Sequence, residues 1–142
     1  MRSLPEHPAE IAGAIAREVA GLRGLELCVL FGSAAEGRLR PDSDVDVAWL
    51  GSASGEEEAA MRRRLEKVLG RDVHLVDLRF ASELLRIEVV RSGRLCFESR
   101  PGAYTTFAAE SMSRWLDVAP AIQACAEAVR QRVLRVTEGD RG

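Results

Sequence analysis

Residues 32–50 read GSAAEGRLRPDSDVDVAWL, and the fold turns on them. The closing run, DVDVAWL over 44–50, alternates: Asp44, Asp46 and Ala48 share one parity, Val45, Val47 and Trp49 the other. That is the period of a strand with one side in a core. The residues before it, GSAAEGRLRPDS over 32–43, are polar and carry two glycines and a proline, which predicts a loop or a loop with one helical turn. Upstream, LELCVLF over 25–31 is a short and nearly continuous apolar run, the mark of a buried strand. Strand, Gly-Ser loop and acidic strand therefore follow one another.

Working outward, Ile11, Ile15, Val19 and Leu22 make one apolar stripe and predict a helix over 5–23. Downstream, Ser54 stands three before Glu57, a capping-box pattern, and opens a helix with Met61, Leu65, Val68 and Leu69 inward and its end at Gly70. A strand is expected over 72–78, a helix capped by Ser82 to about residue 91, and a short edge strand over 95–97. A long helical region follows over 101–137, which Pro120 should break or kink because it cannot donate the helical hydrogen bond. The expected class is α+β (α/β-like): a small mixed sheet with helices packed on one side and a C-terminal helical extension. Residues 1–100 are assigned to the core and 101–142 to an extension of the same domain.

Composition narrows the function classes. The chain has 142 residues, 20 basic against 22 acidic, and 46% hydrophobic residues, the profile of one globular domain. The even charge balance argues against a dedicated nucleic-acid binder. No apolar run approaches the roughly 18 residues that span a bilayer, and the N-terminal MRSLPEHPAE lacks the apolar core of a signal peptide. Cys28, Cys96 and Cys125 are odd in number and widely spaced, which fits neither a disulfide framework nor a CxxC metal site. A reduced, cytoplasmic protein is expected, with no membrane partner and no direct nucleic-acid partner.

The chemistry is concentrated in Gly32-Ser33 and Asp44-Val45-Asp46. On a strand, Asp44 and Asp46 point the same way, roughly 6 to 7 Å apart. Two hard carboxylates on one face make a cup for Mg²⁺, which takes oxygen ligands and keeps positions for water and phosphate. Gly32 lets a triphosphate approach the backbone, and Ser33 adds a hydroxyl at a turn whose N–H groups face anionic oxygens. The plain alternative is also open: Ser33 stands three before Glu36 and would serve as an ordinary helix cap.

The stretch 32–50 resembles the Gly-Ser and Asp-x-Asp signature of the DNA polymerase β-like nucleotidyltransferases, and most of all their minimal MntA-type members. RDVHLVDLRFASELLRIEVVRSGRLCFE (71–98) and AESMSRWLDVAPAIQ (109–123) resemble the later parts of the same proteins. The resemblance implies the nucleotidyltransferase fold, Mg²⁺ and ATP as cofactors, and a HEPN-domain (HepT-like) toxin ribonuclease as partner. It implies an antitoxin that neutralises the toxin by transferring AMP to one of its tyrosines. Gly32 and Ser33 would hold the triphosphate, and Asp44 and Asp46 would bind the metal.

Two departures matter. Where the resemblance has a third carboxylate, this chain has His74. Either Asp72, one pleat earlier, takes over as metal ligand, or His74 serves as a base, or catalysis is weakened; a partly buried strand residue with a satisfied ring is the plain alternative. Asp77 has the wrong parity to substitute. Relatives also carry arginines directly after Gly-Ser, whereas here Ala34 and Glu36 stand there. Arg38 and Arg40 come later, as phosphate contacts or as solvated surface residues. Two functions follow: an adenylyltransferase antitoxin, or a catalytically weakened one that neutralises by binding alone. An antibiotic nucleotidyltransferase shares the motif but usually needs a further domain for the drug.

Overall fold

The computed structural model describes residues 3–139. Its elements run α1 (Pro8–Val19), β1 (Leu25–Phe31), α2 (Gly32–Ala35), β2 (Val45–Gly51), α3 (Gly55–Leu69), β3 (Val73–Asp77), α4 (Glu83–Ser92), β4 (Arg94–Glu98) and α5 (Ala103–Gly139). The four strands form one sheet in the order β3-β2-β1-β4. β1 pairs antiparallel with β2 and with β4, while β2 and β3 are parallel, joined by α3 as the crossover. A parallel pair needs such a crossover, because no tight turn can bring the chain back in the same direction.

Local signals set the boundaries. Pro8 occupies the first turn of α1, where its missing N–H costs nothing, so the helix starts later than residue 5. Ser54 and Glu57 form the expected reciprocal capping box, and Gly70 closes α3 in the left-handed conformation. The Ser82 hydroxyl accepts from Leu85 N–H at 3.1 Å and opens α4.

The mixed sheet and the long C-terminal helix are as expected, but helices cover both faces of the sheet. Cys28, Leu30, Val45, Val47 and Trp49 pack with Ile11, Ile15, Met61 and Leu65 of α1 and α3. Leu27, Val29, Phe31 and Ala48 pack on the opposite face with Val89 of α4 and Ala103 and Phe107 of α5. The reason lies in β1: its run is apolar at both parities, so each face must be buried.

Pro120 does not break the last helix: α5 runs 37 residues with Pro120 inside it. Its flanks, rich in Ala, Gln, Glu and Arg, propagate helix on both sides of the lost hydrogen bond. Only Ala103, Phe107 and Ser111 of α5 are buried, and every residue from 121 to 139 is exposed. No helix among the described residues is long and apolar enough to cross a membrane. Residues 1–2 and 140–142, among them Arg141 and the ends of both assigned regions, lie outside the described residues.

Candidate active site

Three neighbouring strands place one row of residues at one end of the sheet. Phe31, the last residue of β1, pairs with Asp46 of β2, and Asp46 pairs with His74 of β3. Asp46 and Ala48 lie on the parity opposite Val45, Val47 and Trp49, as the alternation predicts. The His74 ring therefore comes to the same place as the Asp46 carboxylate: Nδ1 lies 3.2 Å from Oδ1. The His74 side chain is 63% exposed and that of Asp46 30%, so the ring lies largely in solvent.

Gly32 completes this corner. Its φ is +70°, and a Cβ built on it would overlap Asp46 Oδ2. Glycine is required twice over, for the backbone conformation and for the approach of the carboxylate. Gly32→Ala is expected to lower stability by about 1–2 kcal/mol for the left-handed backbone alone, and by more once Asp46 is displaced. Urea unfolding checks this: a variant as stable as the parent would mean that the turn relaxes freely.

Ser33 sits inside the four-residue helix α2, not at its cap. The capping position is Phe31, and the Ser33 side chain does not cap Glu36. Glu36 instead pairs with Arg38. That ion pair holds Arg38 at the surface, while the Arg38 N–H donates to the Ser33 carbonyl at 2.9 Å. Arg40 stands farther along the loop, where its N–H donates to Ser43 Oγ at 3.2 Å. Sequence reasoning passed over Arg71, whose guanidinium donates to the Arg40 carbonyl at 2.6 Å and to the Pro41 carbonyl at 3.2 Å. It ties the loop to the turn before β3. No local pattern announces a contact between residues so far apart in the chain.

Asp44 and Asp72 are placed differently from Asp46. Asp44 is exposed and precedes β2, and Asp72 precedes β3. The Asp72 carbonyl accepts from Val45 N–H at 2.9 Å, so the two strands enter the sheet together. Both aspartates line a cleft of about 470 Å³ with Pro41, Ser43 and Arg71. That cleft does not include Asp46, Ser33 or His74. The structure thus gathers Gly32, Asp46 and His74 in one contact and sets Asp44 and Asp72 beside them in a second.

Asp77 faces the other way, as its parity predicts. It pairs with Trp49 in the β2–β3 register and forms an ion pair with Arg79 at 2.7 Å. Burial pushes the Asp77 carboxyl up, but the Arg79 contacts outweigh it and hold it below its ordinary value. Cys28 is fully buried beside Cys96; the hydrogen bond between them and burial raise its thiol well above the usual range, leaving it unreactive.

Among the described residues no three His, Cys, Asp or Glu side chains converge as a ready-made metal cage. Mg²⁺ sites of the phosphoryl-transfer kind need no such cage, because one or two carboxylates hold the ion and substrate phosphates and water supply the rest. Asp46, open to solvent next to the bare Gly32 backbone and following Asp44 by two residues, fits that pattern.

A glycine turn after the first central strand, followed by an acidic second strand, defines a class. Residues 15–101 match the family described as Polymerase beta, Nucleotidyltransferase, and the chain belongs to it. The chain is 39% identical over 72 residues to the protein adenylyltransferase MntA of Shewanella oneidensis. That match takes in 49% of this chain and 52% of the relative, so the chain spans about half the length of the curated relative it matches. A crystal structure of a toxin-antitoxin with AMP-PNP superposes with a TM-score of 0.72 at 28% identity, covering 84% of this chain and 98% of that one. A tri-AMPylated Shewanella oneidensis HEPN toxin in complex with MNT antitoxin gives a TM-score of 0.69 at 25% identity, over 87% and 98%. An MntA-HepT toxin-antitoxin structure gives 0.66 at 26% identity, over 84% and 97%.

Proposed function

We propose that this protein is an adenylyltransferase antitoxin that moves AMP from ATP to a tyrosine of a HEPN-domain toxin, with Mg²⁺ or a similar divalent cation. The observation that carries the reading is the Phe31–Asp46–His74 row with Gly32 against the Asp46 carboxylate, in a chain of the polymerase β nucleotidyltransferase family. Its likeness to MntA and to toxin-antitoxin structures with AMP-PNP and with an AMPylated toxin supplies the substrate and the partner. The cytoplasm, where ATP and such a toxin would meet, is the compartment that suits it.

The site residues divide the work as follows. Gly32 leaves the backbone open to the triphosphate, and Ser33 offers its hydroxyl to a phosphate oxygen. Asp44 and Asp46 hold the cation, with Asp72 next to Asp44 as a further carboxylate. A bound divalent cation would stabilise the charge that develops on the phosphate oxygens. The tyrosine oxygen forms a bond to the α-phosphorus, the bond to the β-phosphate oxygen breaks, and pyrophosphate leaves. The phenolic proton goes to solvent, to which the His74 side of the site is open. Arg38 and Arg40 are the loop's own cations for the outer phosphates, and Arg38 reaches them only by leaving Glu36.

The protein, Mg²⁺ and ATP incubated with a HEPN-domain toxin are expected to raise the toxin's intact mass by one or more AMP units. The same mixture without ATP gives no gain. One specific observation favours a second reading, neutralisation by binding alone: an imidazole stands where the resemblance has a carboxylate. A stable complex with no gain in mass would establish that reading and remove the first.

A further inference from the structure

We infer that His74 is a metal ligand and that it tunes the site toward a first-row transition cation, with Mn²⁺ as the probe, over Mg²⁺. This rests on the proposed nucleotidyltransferase reading of the same corner. The first support is geometric. Adjacent ligand atoms on an octahedral ion with bonds of about 2.1 Å lie about 3.0 Å apart. His74 Nδ1 and Asp46 Oδ1 are separated by 3.2 Å, close to that spacing. The second is rigidity. The two residues are directly paired on parallel strands, so the sheet ladder holds their spacing. The third is availability. The ring is largely exposed, and among the described residues Asp46 is its only hydrogen-bonding partner, so no other group competes for Nδ1.

Chemistry then sets the direction of the preference. Mg²⁺ takes oxygen almost exclusively, whereas imidazole nitrogen suits the later first-row ions, and affinity for nitrogen rises from Mn²⁺ onward. An imidazole also brings no negative charge to the donor set. That weakens the hold on a hard ion that relies on charge more than on one that also gains a nitrogen bond. Both effects point the same way.

The test uses the whole protein with Mn²⁺ and a non-hydrolysable ATP analogue, read by pulsed electron paramagnetic resonance. Histidine nitrogen coupling to Mn²⁺ is expected in the wild type, confirmed by its change on ¹⁵N-histidine labelling, and lost in His74→Asp. The Mg²⁺ concentration that displaces half of the Mn²⁺ is expected to fall at least about tenfold in that variant. Suppose Mn²⁺ binds with the analogue, is lost in Asp46→Asn, yet shows no histidine coupling and the same Mg²⁺ displacement in His74→Asp. The inference is then wrong, His74 only orients Asp46, and the nucleotidyltransferase reading stands. Failure of any Mn²⁺ to bind with the analogue, or equal binding in Asp46→Asn, would overturn both.

Discussion

Asp46→Asn is expected to lower AMP transfer by at least about a thousandfold while leaving the fold intact. A metal at a developing phosphate charge is worth several kcal/mol in the transition state, and each 1.4 kcal/mol is about tenfold in rate. Asn keeps the shape of Asp and removes the charge that would hold the ion. The fold should survive because Asp46 is fixed by ladder pairing to Phe31 on one side and His74 on the other, which a side-chain amide does not disturb. The measurement is the single-turnover rate of AMP transfer to the partner, with urea unfolding as the control. A variant within tenfold of the parent would remove Asp46 from the chemistry and shift attention to Asp44 and Asp72.

Trp49→Ala carries the largest expected loss of stability, about 3–5 kcal/mol. The residue is completely buried in the middle of β2, between the sheet and α3. Its Nε1–H donates to Glu58 Oε2 at 3.0 Å, and the Arg79 guanidinium lies 5.1 Å from the ring centroid. Alanine would leave a large cavity, free Glu58 of its partner and loosen Arg79 from its stack. Trp49→Phe keeps most of the packing and should lose less. A drop under about 1 kcal/mol for the alanine variant would mean that the core around β2 collapses to refill the space.

Much of the fold was legible where a signal is local, although Pro120 and the Ser33–Glu36 spacing, equally local, did not act as a helix break and a cap. The alternation of 44–50 assigned Val45, Val47 and Trp49 to one layer and Ala48 to the other, but Asp44, expected on the strand beside Asp46, precedes β2 instead. Ser54 with Glu57 announced the start of α3 because a capping box lies within four residues. The parity of Asp77 excluded it from the His74 face before any pairing was known. What escaped depends on contacts across the chain. That His74 meets Asp46 follows from the parallel register of β2 and β3, which no single strand encodes. Arg71 closing onto the loop carbonyls depends on the same distant approach. The second helical layer was written in β1 as an apolar run on both parities, but the helices that fill it come from the far end of the chain.

The exposed length of α5 divides the molecule into two thermal regimes. The sheet and its two helical layers share buried contacts and should unfold in one cooperative step. Residues 121–139 share none, so their helix is held by backbone hydrogen bonds and short-range side-chain contacts such as that of Arg130 with Glu127. A helical stretch without tertiary packing melts by helix–coil statistics, so its transition broadens over temperature. Heating should fray the helix in its exposed C-terminal part first, toward the turn anchored by Phe107 and Ser111, well before the strands that carry Asp46 and His74 separate.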